Sequence, residues 1–223
     1  HSQHLHSWFC HIPGLKVVMP TSAYDAKGLL LESIFDNDPV IFLEHRWLHG
    51  LKSEVPEGDY RVQIGKANIL TTGNQITVVS LSYITIEALR AVKQLQSEGI
   101  SCELIDLRST SPIDWKKIKS SIKKTRKLLV LDTASESFSV SSEIISRASM
   151  ECHDYLDRAP DKIALKDAPS PTSFGLTSEY YYGAKEIYIK INEIFNKKVD
   201  NEKESFSKET PHDVPGDWFK GPF

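Results

Sequence analysis

Short apolar runs alternate with longer amphipathic ones along most of this chain, and that alternation restricts its fold more than any other feature. "LKVVMP" (Leu15–Pro20) is a strand ended by a proline. Ser22 and Asp25 form a helix-start pair, and Ala26, Leu29, Leu30 and Ser33 then recur on one helical face as far as Phe35. "DNDP" (Asp36–Pro39) stops that helix, and "VIFLE" (Val40–Glu44) reads as a buried strand. "ANIL" (Ala67–Leu70) and "ITVVSL" (Ile76–Leu81) flank Gly73-Asn74, which predicts a hairpin. A helix carrying Ile84, Ala88, Val92 and Leu95 on one side should end at Gly99. "CELIDL", a helix from Ile113 to Lys124, "KLLVLD", a helix capped by Ser141 and "DKIAL" follow. Ile187, Ile191, Ile194 and Phe195 mark a closing helix. Strands that alternate with helices pair in parallel, so the expected class is α/β with a mostly parallel sheet.

The 223 residues suffice for one large or two small domains, and 27 basic against 30 acidic side chains leave a net charge of −3. No basic excess points to nucleic acid or to an anionic membrane surface. No stretch of 18 apolar residues occurs. Cys10, Cys102 and Cys152 are odd in number and scattered, which argues against a disulfide framework and a structural zinc site. A reduced, cytoplasmic setting is the expectation.

Four of the eight histidines, His1, His4, His6 and His11, crowd the first eleven residues. Their spacing suits neither a helix face nor a zinc pattern, and Trp8 and Phe9 between them read as core. Asp36 and Asp38 at a helix end satisfy loose backbone groups there. Asp106, Arg108 and Asp132 sit at carboxyl ends of strands, where α/β sheets place ligands; the alternative is an ion-pair cluster between domains. From Asn196 onward aliphatic residues nearly vanish, so a polar tail is expected. Its "WFKGPF" end carries three large aromatics, which leaves open a clip docked on the body or on a partner chain.

The strings "HSQ", "HIPGLKVVMP", "YDAKGLLLESIFDNDPVIFLE", "EVPEGDY", "GISCELIDLRSTSPID" and "SIKKTRKLLVLD" fall in the order seen in one family. Together they resemble the β subunits of thiamine-diphosphate-dependent 2-oxo acid dehydrogenases, within the transketolase superfamily, over residues 1–195. The resemblance implies the second half of a pyrimidine-binding domain (1–55), a linker (56–66), a three-layer α/β C-terminal domain (67–196) and a polar tail with an aromatic end (197–223). It implies a catalytic role for His1, whose imidazole would donate to a substrate oxygen or move a proton near neutral pH. It also implies a potassium ion held at Ser33, Asp36 and Asp38 by oxygen ligands. The complete enzyme would use thiamine diphosphate and magnesium. The family's cofactor-protonating glutamate lies upstream of the HSQ string, and no Gly-Asp-Gly occurs here, so this chain is expected to be a fragment that holds no cofactor alone. Its implied partners are an α-type subunit carrying the diphosphate-binding domain, a second copy joined through the C-terminal domain, and an acyltransferase. The implied reaction is decarboxylation of a 2-oxo acid or ketol transfer; the alternative is a non-catalytic dimerisation or docking module.

Overall fold

The computed structural model describes residues 3–199, 206 and 211–221. In chain order the elements begin with α1 (His6–Cys10), β1 (Lys16–Val18), α2 (Ala23–Ile34) and β2 (Val40–Phe42). Next come β3 (Asn68–Thr71), β4 (Ile76–Ser80), α3 (Ile84–Ser97), β5 (Cys102–Asp106), β6 (Ser109–Ser111) and α4 (Trp115–Thr125). The chain continues through β7 (Leu128–Ser135), α5 (Val140–Glu151), β8 (Asp161–Leu165), α6 (Phe174–Thr177) and α7 (Ala184–Ile194).

The larger sheet has the order β3-β5-β4-β7-β8; all pairs are parallel except β3 with β5. Its central strands are Val-, Ile- and Leu-rich because helices cover both faces. Ile84, Ala88, Val92 and Leu95 of α3 pack with Ile187, Ile191 and Ile194 of α7 on one face. Ile118 and Ile122 of α4 and Ile144 and Ala148 of α5 fill the other. Met19, at the end of β1, joins that second cluster and so ties the small sheet to the large one. The small sheet, β2-β1-β6, pairs β1 in parallel with β2 and antiparallel with β6.

The hairpin predicted around Gly73 does not form. β3 and β4 are separated by β5, to which both are bonded. Gly73 is required for a different reason: a Cβ there would lie 2.3 Å from the Cys102 carbonyl carbon, so the loop crosses against the start of β5 with no room for a side chain. β6 is too short and polar to read as a strand from sequence. Ser139, not Ser141, caps α5, because its hydroxyl accepts the Ser142 amide at 3.2 Å. Trp8 is 70% exposed rather than core, and Leu30 faces outward on α2 while Gly28 and Leu29 are buried. The described part of the tail, 211–221, docks on the body: Phe219 is 3% exposed.

Candidate functional site

The residues that follow β1 and β2, with the segment before α1, line a cleft of about 600 Å³ at the carboxyl ends of those strands, the location that open α/β folds use for ligands. Met19, Leu43 and Trp47 give it apolar walls, and His4, His6 and His45 line it. Its charged lining groups are Glu44, Arg46 and Asp213.

His4 and His45 stack face to face, 4.9 Å between ring centroids and 6° from parallel. Burial is the main cause that drives both imidazoles toward the neutral form, to a pKa of about 4 for His4 and about 3 for His45; a neighbouring histidine pushes each the same way. The His45 Nδ1 accepts the Trp47 amide at 3.2 Å, so the neutral ring carries its proton on Nε2. Tyr83 lies beneath, 4.4 Å from the His45 ring and 4.8 Å edge-on to Trp47, with a buried hydroxyl that has no hydrogen-bond partner among the described residues.

His6 is held from the other sheet. Its Nε2 donates to Asp132 Oδ1 at 3.0 Å, and neither side chain is exposed. Burial raises the Asp132 pKa, but the His6 bond and the amides of Ala134 (2.9 Å) and Ser141 (2.8 Å) outweigh it and hold the carboxyl below its usual range. The His6 Nδ1 has no hydrogen-bond partner among the described residues. The Tyr182 hydroxyl donates to the Asp132 carbonyl oxygen at 2.6 Å and braces the same strand.

Of the residues expected from sequence, His1 lies outside the described residues. His11 is exposed, away from this cleft, beside Cys10 and Trp8 in a separate groove. Arg108 pairs with Asp25 at 2.6 Å across the two sheets, and Asp106 is buried beside them, the domain-bridging alternative rather than a ligand site. Ser33 donates to the Leu29 carbonyl at 2.7 Å. Lys16 Nζ sits between Asp36 (2.7 Å) and Asp38 (3.0 Å), so an ammonium already bridges the two carboxylates and they do not fit a further cation. Among the described residues no three His, Cys, Asp or Glu side chains converge as a metal site. The apolar wall and neutral donors of the cleft fit an uncharged ring or carbonyl. His4, His6 and His45 were not singled out for this cleft from sequence; the only signal was the histidine crowding itself.

Residues 1–50 match the family model of the transketolase pyrimidine-binding domain, and residues 65–187 match that of the transketolase C-terminal domain. The chain is 40% identical over 187 residues to the beta subunit of acetoin:2,6-dichlorophenolindophenol oxidoreductase of Cupriavidus necator, covering 84% of this chain and 55% of that one. It is 44% identical over 177 residues to the beta subunit of the pyruvate dehydrogenase E1 component of Rhizobium meliloti, covering 79% and 38%. The Acholeplasma laidlawii counterpart is 43% identical over 183 residues, covering 82% and 55%. The chain thus spans about half the length, or less, of these relatives. A solved structure described as a split gene transketolase, inactive beta4 tetramer, shares the fold at a TM-score of 0.71 and 23% identity, covering 87% of this chain and 61% of that one.

Proposed function

The chain belongs to the transketolase family, and from that premise we propose that it forms one wall of a thiamine-diphosphate-dependent active site in a β-type subunit of a 2-oxo acid or acetoin dehydrogenase. The observation that carries the reading is the His4–His45 stack, held neutral in an aromatic cleft at the strand ends. The complete site would cleave a C–C bond next to a carbonyl, by decarboxylation of a 2-oxo acid or by ketol transfer. An α-type subunit would bring the diphosphate-binding groups. Association of two copies through the C-terminal domain, docking of an acyltransferase and a cytoplasmic location belong to the same proposal.

The cofactor, when bound, would supply the electron sink for the carbanion. This chain's residues would do the rest of the work on their side. Neutral His45 would donate from Nε2 to a developing oxyanion without placing a positive charge near the cationic ring. His4, stacked on it, would exchange a proton with the substrate hydroxyl, and His1 would act from the same segment. Met19, Leu43 and Trp47 would exclude water from the reacting carbon. A potassium ion, where the complete subunit takes one, would be confined to backbone oxygens around Ser33, Asp36 and Asp38, because Lys16 holds the carboxylates.

The test is reconstitution of the full-length subunit with its α-type partner and assay on pyruvate and on acetoin. Turnover that falls at least about 100-fold in His45→Ala, with the 223-residue chain inactive alone, supports the reading. Unchanged turnover in His45→Ala removes its mechanism. Assembly without turnover on either substrate, in the presence of thiamine diphosphate and magnesium, favours the docking-module alternative.

A further inference from the structure

The C-terminal segment lies beyond the 65–187 match, yet it returns to the cleft. Glu87, a buried carboxylate on α3, is where it attaches. One Glu87 oxygen accepts the Ala184 amide at the start of α7 (3.0 Å) and an Arg90 Nη1 bond (3.0 Å). The other accepts the Gly216 amide (3.2 Å) and the Trp218 indole N–H (2.5 Å). A carboxylate out of water needs several donors, and here the tail supplies two of them. Beyond this latch, the buried Phe219 ring packs 6.0 Å from Trp47. Gly221 then reaches the 46–50 turn that follows β2: a Cβ on Gly50 would stand 3.1 Å from its carbonyl oxygen. The segment therefore crosses from the α3–α7 face of the large sheet toward the turn that follows β2, and Pro211, Asp213, Val214 and Phe219 line the same cleft as His4 and His45.

We propose that residues 211–221 are a built-in wall of the cleft, latched on Glu87, that screens the His4–His45 stack and decides what reaches it. Ligands would enter past the small sheet, and an uncharged acyl or carbonyl group would meet Val214 and Phe219 before the imidazoles. This goes beyond the catalytic reading, and its test does not use turnover, so failure of either is visible separately.

The test is carbethoxylation of the full chain by diethyl pyrocarbonate at neutral pH, followed site by site by mass spectrometry. Both stacked imidazoles are neutral there and chemically competent, so access sets their rate. Trp218→Ala/Phe219→Ala should speed modification of His4 and His45 about fivefold or more, while the exposed His11 and His153 keep their rates. A thiol probe that leaves buried Cys102 unmodified reports that the core is intact. Equal rates at His4 and His45 in an intact variant overturn the proposal. Should the variant lose its core, hydrogen exchange on the unaltered chain decides. Protection of the Gly216 and Phe219 amides, bonded to Glu87 and to the Gly216 carbonyl, supports a standing wall, and free exchange overturns it.

Discussion

His6 and Asp132, 126 residues apart in sequence, meet with Nε2 and Oδ1 3.0 Å apart and with both side chains fully buried. This bond fastens the histidine-bearing first segment to the central region of the large sheet. The C-terminal sheet thereby contributes to the cleft without lining it itself: Asp132 aims His6, and α1 carries His4 along with it.

Asp132→Asn should destabilise the chain by about 2–4 kcal/mol in urea unfolding, because a buried charged acceptor of three donors loses its charge. The carboxyl is held below its usual pKa, so its contribution is present above about pH 4 and is lost as pH falls through the lowered value. The variant should lack that acid-side loss. Equal stability of the two proteins at pH 7 would contradict the geometry.

Asp106 has the opposite sign. Burial, above all, pushes its carboxyl up to about 7, and the nearby Asp25 adds to the push. A carboxyl raised in the folded state contributes stability below its unfolded pKa of about 4 that disappears as pH rises toward 7. Asp106→Asn should therefore gain on the parent as pH rises from about 5 to 8, by on the order of 2 kcal/mol. Parallel pH–stability curves would refute this.

The stacked imidazoles give a third signature. With folded pKa values of about 4 and 3, His4 and His45 stay neutral while the unfolded chain protonates near 6.5. Stability should fall below about pH 6.5, at up to about 1.4 kcal/mol per pH unit for each ring, until the folded rings themselves titrate. Carbon-detected NMR of the ring signals should show no titration between about pH 8 and 5. A midpoint near 6.5 at either ring would remove the neutral-donor chemistry proposed for the cleft.

Gly73→Ala should cost about 2–4 kcal/mol, because its methyl would have to move backbone atoms of Cys102 and Glu103 rather than a flexible side chain. Asn74→Ala, with no such crossing to obstruct, serves as the control. A Gly73 variant as stable as that control would mean that the loop relaxes away from β5.

The secondary structure was largely legible because its signals are local. Ser22 caps α2, Gly99 follows α3 at φ +83°, and the Ile187–Ile191–Ile194 face of α7 is buried. Sheet order was not legible around Gly73. The Gly-Asn pair that suits a tight turn is also what a loop needs to cross a neighbouring strand, and only the pairing of β5 separates the two. The cleft was legible in its family and in its histidine-rich segment, but not in its members. Nothing local to His45 or Asp132 shows that one stacks on His4 and the other grips His6, since both contacts close only when the two sheets come together. Trp8 misled for the converse reason, as an apolar residue on a short helix whose outer face the described residues leave exposed.

Strand β6 has a bearing on how such chains can be recombined. Ser109–Ser111 belongs in sequence to the 65–187 match, yet it completes the sheet of the region matched over 1–50, alongside β1. A chimera spliced in the 51–64 segment, between the two family matches, would give β1 a foreign neighbour on one flank and a native one on the other. Homologous halves should exchange productively only when the three serine- and threonine-bearing positions of that strand travel with the front portion, so the natural seam for shuffling this protein does not lie between the two family matches.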